Sequence, residues 1–206
     1  MATWGAIAAL AYLLGSIPSG VWVGRAVFGI DPREHGSRGT GATNVLRTMG
    51  TKAAFAVALM DALKGAAAVV LARWLAPAEP WAHVLAAFLV AAGHTWPLFS
   101  GFRGGKGVIV SAVAVGVLYW PILVVIVPIG ALLVARTRLV SLASISGALV
   151  TAALGVAARA AGRIPDAYLF YFVAAAVLVV WTHRQNIGRL ASGTENRLGQ
   201  RVQTAA

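Results

Sequence analysis

The sequence predicts an all-α, polytopic integral membrane protein with seven transmembrane helices, its N-terminus outside and its C-terminus cytoplasmic. Three observations carry this. Of 206 residues, 59% are apolar and only 11% charged, where a soluble domain is typically about 45–50% apolar and about 25% charged. The apolar residues come in long blocks and not in alternation, so the hydrophobic interior is divided among several spanning helices. The basic residues cluster in alternate gaps between those blocks, the pattern that fixes the orientation of a polytopic chain. Residues 1–206 read as a single transmembrane domain.

The first block runs from about Trp4 to Gly24, and the charged stretch Arg25 to Lys52 after it reads as a loop. It lacks a basic n-region and leads straight into polar sequence, so it is a retained span and not a cleaved signal peptide. Ala53 to Leu75 and Trp81 to Phe99 are the next two spans, and Leu139 to Ala158 and Ala167 to Trp181 the last two. Between them, Val108 to Ala135 is one long tilted helix or two short ones broken at Tyr119-Trp120-Pro121. Two short helices bring four gaps to one side: Arg25 to Lys52, Phe99 to Gly107, Arg136 to Arg138 and the tail after Trp181. Those gaps hold 13 of the 17 Lys and Arg residues, which places them in the cytoplasm. A six-helix count moves Arg136, Arg138 and the basic tail outside, so seven is preferred. Trp120 and Tyr119 beside a proline also suit an interfacial break.

The net charge of +11 calls for an anionic partner. Nucleic acid is disfavoured, because the basic residues lie in short gaps that leave no platform for a duplex. Anionic membrane lipid or a phosphorylated substrate fits better. Cysteine is absent, which removes thiol catalysis and Cys-ligated metals; neither a metal nor a cofactor is expected, and no obligate protein partner is inferred.

Three polar segments fall on the cytoplasmic side. In the first, His35 to Arg47, glycines at 36, 39 and 41 let backbone approach a ligand, Ser37, Thr43 and Asn44 add neutral hydrogen-bonding groups, and Arg38 and Arg47 bring forked charge. The second contains Gly93-His94-Thr95-Trp96-Pro97 and then Gly104-Gly105-Lys106-Gly107, a phosphate cradle of backbone N–H groups with a lysine point charge. It is not a Walker P-loop, since Ser100 and Gly107 occupy positions where that motif needs Gly and Ser or Thr. The third, His183 to Glu195, has helical periodicity over 183–190, which puts Asn186 one turn from His183. A basic stub lying on headgroups is the plainer reading, but Glu195 has no use on such a surface. Inside the second span, Asp61 and Lys64 are three residues apart; they read as an internally neutral clamp, with a direct role in substrate binding as the other possibility. His83 reads as an interfacial residue.

Taken together, the three segments resemble the bacterial acyl-phosphate:glycerol-3-phosphate acyltransferases of the PlsY type. The family's signatures look like Gly-Ser-Gly-Asn-x-Gly-Ala/Thr-Thr-Asn, Gly-Gly-Lys-Gly and His-Arg-x-Asn-Ile-x-Arg-Leu-x-x-Gly-x-Glu. This chain has Gly36 to Asn44, Gly104 to Gly107, and His183 to Glu195 with every fixed position of the third matched. Gly15-Ser16-Ile17-Pro18 and Asp61-x-x-Lys64-Gly65 also look like the family, so the resemblance spans nearly the whole chain. The departure is Arg38-Gly39 in place of Gly-Asn.

The resemblance implies a multi-pass enzyme of the bacterial inner membrane with its active site facing the cytoplasm. It would move a fatty acyl group from acyl phosphate to the 1-hydroxyl of glycerol 3-phosphate, giving lysophosphatidic acid and inorganic phosphate for phospholipid biosynthesis. Lys106 with the Gly104 and Gly105 backbone, flanked by Gly107, is assigned to one phosphate. Ser37, Thr43, Asn44 and Arg47 are assigned to the other or to both, with Arg38 as an extra donor. His183 and Asn186 would bind and orient near the reacting hydroxyl, and Glu195 would hold the third segment in place. The proton acceptor is His183 or a substrate phosphate oxygen. No histidine is followed four or five residues later by Asp, so the acid–base pair of thioester-dependent glycerolipid acyltransferases is missing. A transporter or exchanger of organic phosphate is the alternative from another class.

Overall fold

A computed structural model describes residues 1–199 of the chain. The expected domain over 1–206 and the tail residue Arg201 extend beyond the described residues. Those residues form ten α-helices and no strand: α1 (Ala2–Gly15), α2 (Ser19–Val23), α3 (Ala42–Met49), α4 (Thr51–Leu75), α5 (Pro80–Thr95), α6 (Val108–Leu118), α7 (Pro121–Thr137), α8 (Val140–Ala160), α9 (Asp166–Thr182) and α10 (Arg184–Ala191). Prolines open α5 and α7, where a missing N–H leaves no intrahelical bond unmade.

The side-chain distribution suits a lipid solvent. Phe55, Leu59, Leu63, Val70 and Trp74 of α4 face outward, while Asp61, Lys64, Ala68 and Ala72 of the same helix are buried. In water that outer face would be a continuous apolar patch of the kind soluble monomers avoid. Inside, small residues allow helices to approach closely. A Cβ on Gly15 would lie 2.3 Å from the Val90 carbonyl oxygen, and one on Gly93 would lie 2.4 Å from that of Tyr12, so α1 and α5 touch backbone to backbone.

Among the described residues, four helical stretches are long and apolar enough to cross a membrane: Ala2–Phe28, Thr51–Leu75, Pro80–Ser100 and Val140–Ala160. A fifth exists if α9 and α10, which meet at a 61° bend, are one broken span. The region between Val108 and Thr137 is two helices parted at Tyr119 and Trp120. At 1.5 Å per residue, α6 and α7 rise only about 16 and 26 Å against a hydrocarbon core about 30 Å thick.

Two readings change here. The stretch Arg25 to Lys52 is not simply a loop, because it holds the amphipathic helix α3. His83, read as an interfacial residue, is packed inside the protein: it is 3% exposed, and its Nε2–H donates to the Ala76 carbonyl at 2.9 Å while Nδ1 meets the Tyr168 hydroxyl at 2.9 Å. The carbonyl can only accept, which fixes the neutral tautomer and makes Tyr168 the donor to Nδ1.

Candidate active site

The third polar segment is built by a helix bend. Past Thr182 the chain turns by 61° into α10, and His183 occupies the corner, 3% exposed. Its Nδ1–H donates to the Val179 carbonyl at 2.8 Å, so Nε2 carries the lone pair of the neutral ring. Burial, with Lys106 adding its positive charge, pushes the His183 imidazole down to about 4. After α10, Gly193 at φ +71° reverses the chain. Gly193 N–H bonds Leu190 O at 3.2 Å and Thr194 N–H bonds Arg189 O at 2.8 Å, a Schellman closure that needs the left-handed conformation. The reversal carries Glu195 back beneath the helix. There its Oε1 accepts from Asn186 Nδ2 at 2.6 Å and from Ser141 Oγ at 2.9 Å, and its Oε2 from Arg189 Nε at 2.8 Å. Burial pushes the Glu195 carboxyl up, but these three donors outweigh it and hold the group below the usual carboxylate range.

The second segment needs its glycines for packing against α5. Gly105 N–H bonds His94 O at 3.1 Å. A Cβ on Gly104 would sit 2.1 Å from that oxygen, and one on Gly105 would sit 2.2 Å from His94 Nε2. Gly107 caps α6 at φ +75°, in the left-handed region. This tight turn presents Lys106. Thr182 Oγ1 holds its carbonyl at 3.1 Å, and its ammonium donates to Asn186 Oδ1. Burial lowers the Lys106 ammonium to about 8, assisted by the nearby Arg189 and Arg47 charges and opposed by Glu195.

The first segment is organised by Asn44. Its Oδ1 accepts from Ser37 N–H at 2.8 Å, and its Nδ2 reaches the carbonyls of Pro32, Gly39 and His35 at 2.8, 2.8 and 3.1 Å. The whole amide is therefore engaged within the loop. Arg47 follows on α3, donating from a terminal nitrogen to Asn196 O at 3.0 Å, while its Nε is buried without a hydrogen-bond partner. Arg38 is exposed, in the left-handed region at φ +57°.

The segments meet around a cavity of about 240 Å³ whose walls include Ser37, Thr43, Asn44, Arg47, Lys106, His183, Asn186 and Glu195, with Asp61, His94 and Ser141. Each acid lining it has its own cation, Lys64 for Asp61 and Arg189 for Glu195. Lys106 and Arg47 are left uncompensated, the balance an anion requires. A larger apolar groove of about 620 Å³ runs between α6, α7, α8 and α9, and it shares Val108, Val140 and Ser144 with the polar cavity. Among the described residues no group of three His, Asp or Glu side chains could hold a metal ion.

Comparison with known proteins decides the family. The model of the glycerol-3-phosphate acyltransferase family matches residues 5–193. The chain belongs to this family. It is 46% identical over 190 residues to the glycerol-3-phosphate acyltransferase of Synechococcus sp. (strain JA-2-3B'a(2-13)), with 92% of each chain covered. It is 40% identical to that of Halalkalibacterium halodurans, with 94% of each covered. Crystal structures of the integral membrane glycerol 3-phosphate acyltransferase PlsY (YgiH) superpose with a TM-score of 0.86 for the glycerol 3-phosphate form, at 33% identity over 95% of this chain and 96% of that one. The lysophosphatidic acid form gives 0.83, at 31% identity over 96% of each.

Within this acyltransferase family member, ten of the twelve residues singled out from the sequence line the cavity, and Arg38 and Gly104 do not. Arg38 is exposed on its turn, and Gly104 is packed against the His94 carbonyl of α5. Two contributors were not found from sequence. Ser141 stands in the first turn of α8 with Ser144 one turn on, a polar pair just after the basic gap Arg136 to Arg138. His94 was in view as part of the second segment, but its contact with Asp61, Nδ1 to Oδ1 at 3.5 Å, joins residues from different helices.

Proposed function

We propose that the chain transfers a fatty acyl group from acyl phosphate to the 1-hydroxyl of sn-glycerol 3-phosphate, releasing 1-acyl-sn-glycerol 3-phosphate and inorganic phosphate. The junction of cavity and groove is the observation that carries this reading. A two-cation polar chamber opens, through Val108, Val140 and Ser144, into an apolar groove, so an acyl chain can lie in the groove with its reactive end in the chamber. The PlsY structures in glycerol 3-phosphate and lysophosphatidic acid forms support the same acceptor and product.

Acyl phosphate is a mixed anhydride and already activated, so the protein supplies position and charge. Lys106 holds one phosphate, and Arg47, Ser37 and Thr43 hold the other; the Gly104–Gly105 backbone, expected to cradle a phosphate, is instead packed on α5, with the Gly105 N–H on the His94 carbonyl, and serves to present Lys106. Asn44 acts by shaping the loop that presents Ser37. Asn186 and Glu195 fix the Lys106 ammonium. His183, too weak a base with its imidazole near 4, orients the 1-hydroxyl through Nε2. The proton passes to a substrate phosphate oxygen, whose second ionisation falls at about 6. The hydroxyl oxygen forms the ester bond as the carbonyl–phosphate bond breaks, and the phosphate leaves with the electron pair.

We further propose one domain over 1–206 with seven spans, α6 and α7 crossing as short helices, the N-terminus outside and the site facing the cytoplasm of the bacterial inner membrane. Apart from Asp61 of mid-α4, the chamber draws its polar walls from helix ends and loops that this topology brings to one side, whereas an exchanger needs a site reachable from both sides. Purified protein in proteoliposomes, given acyl phosphate and glycerol 3-phosphate, is expected to release phosphate and form lysophosphatidic acid in equal amounts. Uptake of labelled glycerol 3-phosphate without any acyl donor would instead favour the exchanger.

A further inference from the structure

Asp61 is buried in the middle of α4, 2% exposed, and yet it lines the polar cavity. All its partners converge on one oxygen. Oδ1 accepts from Ser19 Oγ at 2.9 Å, lies 2.9 Å from Lys64 Nζ and 3.5 Å from His94 Nδ1. Oδ2 takes part in none of these contacts, although a carboxylate has about four acceptor sites to satisfy. Lys64 is held in turn by the Ile17 carbonyl at 2.8 Å, which lies in the turn between α1 and α2 and also accepts the Ser19 N–H at 3.0 Å. The pair is therefore neutral overall and does not repel a phosphate. What it offers the cavity is a single strong acceptor of fixed position.

We propose that Asp61 Oδ2 accepts the secondary hydroxyl of glycerol 3-phosphate, making Asp61 the residue that selects an acceptor with a hydroxyl on the middle carbon. This rests on the acyl-transfer reading above. The reacting hydroxyl has to lie where the acyl groove enters, at Val108, Val140 and Ser144, which belong to α6 and α8. Helix α4 contributes nothing to the groove, so the hydroxyl that Asp61 reaches is the one that does not react. A site built to bond a hydroxyl rejects the analogue lacking it, because a buried acceptor is then left unpaired.

The test compares glycerol 3-phosphate with 3-hydroxypropyl phosphate, which keeps the primary hydroxyl and the phosphate but lacks the middle one. The wild-type enzyme in proteoliposomes is expected to favour glycerol 3-phosphate in kcat/KM by about 10- to 100-fold, the effect of one hydrogen bond to a charged group. Asp61→Asn is expected to shrink that ratio toward one by losing kcat/KM for glycerol 3-phosphate alone. Ser19→Ala, which touches only Oδ1, keeps the ratio. A structural role for Asp61 would lower both substrates alike and preserve the ratio, which overturns the proposal. Should Asp61→Asn fail to fold, the wild-type ratio decides, since a value near one overturns the proposal by itself. A wild-type protein active on both substrates without preference refutes only the hydroxyl assignment; one inactive on both refutes the acyl-transfer reading beneath it.

Discussion

Lys106 and Asn186, 80 residues apart in sequence, are joined directly: the ammonium donates to the amide oxygen of Asn186, whose nitrogen donates to Glu195. The cation that faces the cavity is thus held at its working position by a relay ending on a buried carboxylate. Asn186→Ala removes the relay while leaving both charges. It is expected to lower kcat/KM for glycerol 3-phosphate by about 10- to 100-fold, the worth of a hydrogen bond to a charged group. Steady-state kinetics on the purified variant check this, and near-wild-type activity would show that Lys106 needs no such support.

The depressed Lys106 ammonium has a pH signature. It is protonated below about 8 and loses its proton above, so kcat/KM is expected to fall above pH 8 as the phosphate-binding cation disappears. The acid limb follows the substrate phosphate at about 6 and not His183, whose imidazole stays neutral down to about 4. Lys106→Arg keeps its charge throughout, and its profile, at lower absolute activity, should lose the alkaline limb.

Arg38 holds a left-handed conformation on an exposed turn away from the cavity. Such a conformation costs a non-glycine residue about 1 kcal/mol. Arg38→Gly relieves it, partly offset by the greater freedom of glycine in the unfolded chain. The expected outcome is unchanged activity with equal or slightly higher stability, read by thermal unfolding in detergent. A tenfold fall in activity would show that Arg38 reaches substrate.

Gly147 lines the apolar groove on α8, and a Cβ added there meets nothing within 4 Å. Gly147→Leu should therefore fold and fill part of the groove. It is expected to reduce turnover of long-chain acyl phosphates by at least about tenfold while sparing short-chain ones, the discrimination that apolar pockets give per few methylenes. Gly5→Leu, in open space on α1 outside the groove, is the control.

The apolar blocks marked the helices to within a few residues, and Tyr119-Trp120-Pro121 marked the division between α6 and α7, because hydropathy and proline act locally. The three segments could also be read as one site, since each combined glycines with charge on the same side. What could not be read was the division of labour within them. Asn44 and Asn186 look like ligands in a sequence, but their partners are the loop carbonyls of Pro32 and Gly39 and the side chains of Lys106 and Glu195, all fixed only by tertiary packing. His83 read as no more than an interfacial residue for the same reason, its partner Tyr168 lying 85 residues away. Helix α3 was hidden by its polar, glycine-flanked sequence, since its apolar contacts, Val45 with Val57 of α4, are supplied from outside it.

The most direct measurement is the stoichiometry of acyl transfer by the purified, reconstituted chain, in wild-type form and as Lys106→Ala. One inorganic phosphate released per lysophosphatidic acid formed, dependent on both acyl phosphate and glycerol 3-phosphate and lost in Lys106→Ala, is the expected result. Product formation at the wild-type rate by Lys106→Ala, or no product from the wild-type protein, would contradict it.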